Sequence, residues 1–178
     1  MLKSIQYCYK NNKVVSFYLD KEDTNSHLTG YINCYNDNEI LISHITARGE
    51  YDGFILKRVG EVYRIDYDGE YEKKIEMLYK LKLQTHARFD ASDKGILYPL
   101  LDFAIKMKYI VNLELGDNFV TGFVGEYDDD FIYISVVNKY GKEDGISIIN
   151  IDEIITFSCD TDDEQDLKLV YNNIYAEK

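Results

Sequence analysis

Three histidines (His27, His44 and His86), three cysteines (Cys8, Cys34 and Cys159) and two runs of carboxylates are the side chains of this 178-residue chain best suited to chemistry. A histidine can act as general base toward a Cys or Ser nucleophile, but none of these three stands in a recognised nucleophile motif. No GxGxxG, Walker loop, HExxH or GxSxG occurs either. The cysteines are odd in number, widely spaced and without a CxxC pair, the pattern of reduced thiols and not of a disulfide or zinc framework. Cys34 lies within a strand pattern and reads as a small core residue. The runs Asp128-Asp129-Asp130 and Asp160-Thr161-Asp162-Asp163-Glu164-Gln165-Asp166 gather oxygen ligands. Neither has the alternating ligands, central glycine and terminal glutamate of an EF-hand loop. The first reads as a hairpin turn and the second as an acidic helix N-terminus, where carboxylates complement the macrodipole. The sequence predicts no catalytic residue, no metal, no cofactor and no enzyme.

Charge divides the chain. The net charge is -12, yet Met1 to Arg88 holds 13 basic and 13 acidic residues, while Phe89 to Lys178 holds 7 and 19. The whole deficit sits in the second half, where it serves solubility first, and the asymmetry offers as the alternative that the two halves face different partners. Asp128, Asp129, Asp130, Asp162, Asp163 and Glu164 are the candidate acidic surface, suited to a basic protein. Phosphate binding calls instead for basic residues interleaved with aromatics. Arg48, Lys57, Arg58 and Arg64 of the first half, among 17 tyrosines in the chain, are the candidates for it. No stretch approaches the roughly 18 apolar residues that span a bilayer, and Met1 to Lys10 interleaves apolar and polar residues where a secretory leader has an apolar run. A cytoplasmic location without membrane contact is expected.

The elements that must position these groups repeat. Residues 29–79 align without a gap to residues 121–171, with 14 of 51 positions identical, among them Thr29-Gly30 with Thr121-Gly122, Gly49 with Gly141, Asp68 with Asp160 and Tyr79 with Tyr171. Upstream the offset becomes 96, Val14 to Leu19 matching Ile110 to Leu115, so the first copy carries four extra loop residues within Lys21 to His27. Apolar and polar residues alternate strictly in Val111-Asn112-Leu113-Glu114-Leu115, the mark of a half-buried strand. Further strands are expected over 28–35, 39–46, 52–58 and 62–67 and at the shifted positions. Asn36-Asp37-Asn38 and Asp128-Asp129-Asp130 close hairpins, through side chains that tolerate left-handed backbone angles. Helices flank each meander: Leu2, Ile5, Cys8 and Tyr9 share a face, and the sole proline, Pro99, marks the start of the counterpart helix. At the other end Ile75, Leu78 and Tyr79 correspond to Leu167, Val170 and Tyr171. Polar and aperiodic residues separate the copies, giving domains over 1–83 and 98–178 and a linker over 84–97.

A short helix followed by five strongly bent strands resembles the Sm and LSm-like fold, a small SH3-like barrel. Ile110 to Gly116, Gly122-Phe123-Val124, Tyr127-Asp128 and Phe131 to Ile134 look like the first Sm motif, and Ile148 to Ile154 and Leu56 to Val62 echo the second. The resemblance implies a mainly β chain of two tandem five-stranded antiparallel barrels, each with an N-terminal and a C-terminal helix. It also implies edge strands through which copies could pair as homo-oligomers. The family's RNA-site residues depart here: its Asn is replaced by Phe131-Ile132 and Glu39-Ile40, and its Arg-Gly pair by Ile149-Asn150, with only Lys57-Arg58 near it in the first copy. Two functions are expected: a non-enzymatic protein-interaction or regulatory module, and, as the alternative, an RNA-binding Sm-like protein using the first copy.

Overall fold

The computed structural model describes residues 1–176. Contacts divide the chain into two compact units, Met1–Ile96 and Leu97–Lys178. Unit one consists of α1 (Leu2–Lys10), β1 (Val14–Tyr18), β2 (Leu28–Tyr35), β3 (Glu39–Ile45), β4 (Tyr51–Arg58), β5 (Arg64–Tyr67) and α2 (Glu70–Leu81). Unit two follows with α3 (Leu97–Met107), β6 (Ile110–Leu115), β7 (Asn118–Tyr127), β8 (Phe131–Val137), β9 (Glu143–Asn150), β10 (Thr156–Cys159) and α4 (Asp162–Tyr175). Short 3-10 turns at Val59–Glu61 and Ile151–Glu153 precede β5 and β10, and the first delays β5 relative to the expected 62–67. The chain is thus mainly antiparallel β with four helices among the described residues.

Within unit one the strand order is β5-β1-β2-β3-β4, and within unit two β10-β6-β7-β8-β9. Each order begins and ends on a strand that does not pair with the other, so each unit is an open antiparallel ladder by its hydrogen bonds. Bulges bend both ladders at corresponding places, between Ile32 and Cys34 and between Val124 and Glu126.

Local chemistry explains the repeated register. A Cβ on Gly30 would lie 2.1 Å from the Ser43 carbonyl oxygen, and one on Gly122 2.1 Å from that of Ser135, so only glycine lets these strands pair so closely. Gly49 and Gly141 have φ of 72° and 73° and abut the helix behind them, at Leu78 and Val170. The β2–β3 and β7–β8 turns close differently from expectation. Asn36 Oδ1 accepts from the amides of Asn38 (2.8 Å) and Glu39 (2.7 Å), and Asp128 Oδ1 from those of Asp130 (2.9 Å) and Phe131 (2.8 Å). These Asx bonds hold the turns without left-handed angles. Among the described residues the left-handed non-glycine ones are Asn12, Asp68, Leu83, Lys108 and Asp160, at helix ends.

One face of the unit-one sheet packs on α1, burying Ile5, Cys8, Val15, Phe17, Ile32, Ile40 and Ile42. A second cluster, Val14, Tyr31, Ile45, Ile75 and Tyr79, joins the sheet to α2. In unit two Leu100, Leu101, Ala104, Val111, Leu113, Ile132, Ile134 and Phe157 are buried. Glu164 occupies N3 of α4, where its Oε2 accepts from the N-cap amide of Thr161 at 2.9 Å, half of a capping box.

Candidate functional site

In unit one a row of side chains crosses three strands on one face: Tyr31 of β2 opposite Ser43 of β3, and Ser43 opposite Phe54 of β4. Directly opposite residues share a face, and Asn33, two residues along β2 from Tyr31, joins it by donating Nδ2 to Ser43 Oγ at 2.8 Å. The segment read as a linker lies across this row. Asn33 Nδ2 also donates to the Ala87 carbonyl (2.7 Å) and its Oδ1 accepts from the Phe89 amide (2.9 Å), so one 1%-exposed side chain grips the segment on both sides of Arg88. Phe89 meets Phe54 edge-on at 5.1 Å, Gln84 Oε1 accepts from the Tyr51 amide at 3.0 Å, and Arg88 donates to Asn12 Oδ1 at 2.9 Å. Farther along, Glu39 Oε2 accepts from the Ile96 amide at 3.0 Å.

His86 sits at the centre of this contact. Its ring lies 4.4 Å from that of Tyr51 and 5.3 Å from that of Phe54, and stacks on Tyr79 at 5.7 Å. Tyr79 OH lies 2.7 Å from Nδ1 and the Gly53 carbonyl 3.1 Å from Nε2. A neutral ring satisfies both, with Nε2–H donating to the carbonyl and Nδ1 accepting from the phenol. Burial supports that state by pulling the pKa down to about 4.

Unit two carries the same row in the same register: Phe123 opposite Ser135, and Ser135 opposite Ile146. Here the row is open. Phe54 is 0% exposed whereas its counterpart Ile146 is 73% exposed, and Gly125 stands where Asn33 would grip a crossing segment. The chain takes another course as well, since α2 ends at Leu81 but α4 remains helical at the corresponding positions and on to Tyr175. Tyr175 OH accepts from the Glu143 amide at 3.2 Å, the role Gln84 plays for Tyr51. At the Phe123 end of the row lies a groove of about 530 Å³, walled by Tyr109, Phe123, Tyr171 and Asn172 and carrying Lys108 and Lys168. Lys168 Nζ lies 4.8 Å from the Tyr109 ring centroid.

A second cleft, of about 450 Å³ in unit one, is lined by His27, Thr29, His44, Thr46, Asp52 and Tyr71. His44 Nδ1 lies 2.8 Å from Asp52 Oδ2 without the alignment of a hydrogen bond. Sequence spacing gave no sign that His27 and His44 share a cleft, because β2 and β3 bring them together only through sheet register. The thiols are a poor match for nucleophilic work. Burial pushes Cys8 up to about 11, Cys34 up to about 12 and Cys159 well above the ordinary thiol range.

The basic candidates are dispersed. Arg48 sits in the β3–β4 turn and pairs with Glu50 at 2.8 Å. Lys57 and Arg58 lie at the far end of that hairpin, where Arg58 faces Glu39, about 20 Å away at strand spacing. Arg64 is on β5, at the opposite end of the strand order, bonded to Asp66 and lying 4.3 Å over the Tyr18 ring. They do not form one stripe. The acidic candidates separate too. Asp128 is spent on its Asx turn, and Tyr98 near the start of α3 donates to the Asp129 carbonyl at 3.3 Å. Asp162 and Asp163 open α4, which reaches the other end of α3 through Lys168 and the Met107 carbonyl (3.4 Å). Glu164 is removed from any surface: it is 4% exposed, bonded to Ser158 Oγ, and desolvation raises its pKa to about 7. The signal for it, Thr-x-x-Glu before an apolar stripe, was present in the sequence.

Comparison with known proteins finds no family model that matches the chain, and no curated protein or solved structure that matches it. Fold and site together describe a mainly β chain of two antiparallel units, one with its face covered by its own backbone and one with that face open. No helix among the described residues is long and apolar enough to cross a membrane.

Proposed function

We propose that the chain is a non-enzymatic protein-interaction module built from two Sm-like small barrels, and that it binds an extended protein segment across the open face of unit two. One observation carries the reading: residues 84–89 dock on the row Tyr31, Ser43, Phe54, while in the matching row Phe123, Ser135, Ile146 the last two side chains are exposed. A sheet face that a peptide covers in one copy has the pleat and spacing to accept one in the other. The helix followed by five antiparallel strands in each unit, with bulges along the β2–β3–β4 and β7–β8–β9 pairings, supports the Sm-like reading of the fold. The acidic excess of the second half steers a partner of opposite net charge toward this unit, and the apolar row supplies the contact.

Selection of a displayed peptide library on the full chain tests the reading. Enriched peptides are expected to lose at least tenfold in affinity on Ile146→Asp and on Phe123→Ala. Peptides that bind both variants as tightly as the parent chain place the interaction elsewhere and refute it.

A further inference from the structure

The two grooves differ in charge at the point where unit one seats Arg88. Arg88 donates to Asn12 at the end of α1, and its guanidinium acts electrostatically on both Tyr31 and Tyr79. Glu76 acts on the same Tyr31 and is itself ion-paired with Lys80 at 2.5 Å, so the face that receives the arginine offers a neutral acceptor and a carboxylate whose charge a lysine already balances. At the corresponding positions of unit two Asn12 becomes Lys108 and Glu76 becomes Lys168, while the aromatic pair persists as Phe123 and Tyr171, 5.0 Å apart. Both lysines line the open groove. A near-neutral lining with a balanced Glu76–Lys80 pair in unit one becomes a positive one in unit two, where Asn172 stands in place of Lys80, on a retained aromatic pair.

Resting on the reading of unit two as a peptide-binding face, we infer that the groove takes an extended protein segment bearing one Asp or Glu where residues 84–89 bear Arg88, followed by an aromatic or aliphatic residue. Lys108 and Lys168 meet the carboxylate, and the following side chain covers Ile146 as Phe89 covers Phe54. A single carboxylate suits the site better than a polyanion. The two lysines are local, and the further charges of a polyanion would come within about 10 Å of the carboxylates of the acidic second half, the range over which like charges still repel at 0.1 M salt. That also ranks a nucleic acid below a peptide, despite the mix of lysine and aromatic groups.

The probes are two end-blocked peptides, Gln-Thr-His-Ala-Glu-Phe and Gln-Thr-His-Ala-Arg-Phe, the second being the chain's own residues 84–89. Binding to the full chain is measured by calorimetry or NMR. The glutamate peptide is expected to bind at least tenfold more tightly at low salt, with the ratio shrinking as salt rises. The double variant Lys108→Asn, Lys168→Glu is expected to reverse the preference toward arginine. If it fails to fold, Lys168→Met, which keeps the stem of the side chain, is expected to erase the preference for glutamate. Equal affinity of the two peptides, binding of neither, a preference that survives loss of the lysines, or oligo-uridine displacing the peptide through the same lysines would each overturn the inference. Library peptides that need Ile146 and Phe123 but carry no acid would overturn it while leaving the interaction module standing.

Discussion

Removing the side chain of Asn33 should release residues 84–89 from unit one. Asn33→Ala deletes three hydrogen bonds: those to the Ala87 carbonyl, from the Phe89 amide and to Ser43 Oγ. At roughly 1 kcal/mol net apiece the total loss is about 3 kcal/mol, and about 2 kcal/mol of it concerns the docked segment alone. The rest falls on Ser43, whose hydroxyl stays buried without its partner. Urea unfolding reads the total. Hydrogen exchange at the Phe89 amide reads the local part, where about 2 kcal/mol corresponds to roughly 30-fold faster exchange. Thr85→Ala, at an exposed position of the same segment, is the control and should leave both readouts near the parent values. An unchanged Phe89 exchange rate in Asn33→Ala, or an equal acceleration in Thr85→Ala, would refute the claim that Asn33 is the grip.

Acid should loosen the same segment by another route. The His86 pKa falls from 6.5 to about 4 through burial, so docking is fully supported above 6.5 and loses up to about 3 kcal/mol as pH drops toward 4; pH-dependent exchange at Phe89 checks this, and His86→Phe should flatten the profile. Glu164 behaves in the opposite sense. Its pKa rises from 4.5 to about 7, so the folded state binds the extra proton, and its contribution is best below 4.5 and declines by up to about 3 kcal/mol as pH rises through 7. Glu164→Gln should remove that slope in urea titrations that follow unit two. Gly30→Ala, forced to place a methyl 2.1 Å from the Ser43 oxygen, is expected to cost more than about 3 kcal/mol, while Gly60→Ala, with nothing within 4 Å, should change stability by less than about 1 kcal/mol; paired chemical denaturation curves decide between them.

Much of the architecture was legible because it rests on local rules. Alternation in Val111 to Leu115 announced β6, Pro99 marked the first turn of α3, and the Asp-rich turn before Phe131 closed the hairpin it predicted. The backbone geometry was misjudged only where a side chain could do the work of a left-handed angle, as Asn36 and Asp128 do. Residues 84–96 were illegible. Their polar, aperiodic composition describes an exposed loop, and nothing in it reveals that Asn33, Tyr51 and Glu39 would bind its backbone. The four basic candidates were close in composition but not in space, because a hairpin sends the two ends of a strand pair apart.

That one pattern is written twice, and where its strands, turns and flanking helices fall, follows from period and spacing along the chain. That one copy's row is covered while Ser135 and Ile146 of the other are exposed is settled by the fold. That outcome depends on contacts between residues some fifty positions apart, such as Asn33 with Ala87 and His86 with Gly53, and on α4 staying helical where α2 stops. Such contacts leave no period in the chain, and the exchange of Asn12 and Glu76 for Lys108 and Lys168 acquires meaning only once the groove they share is in view.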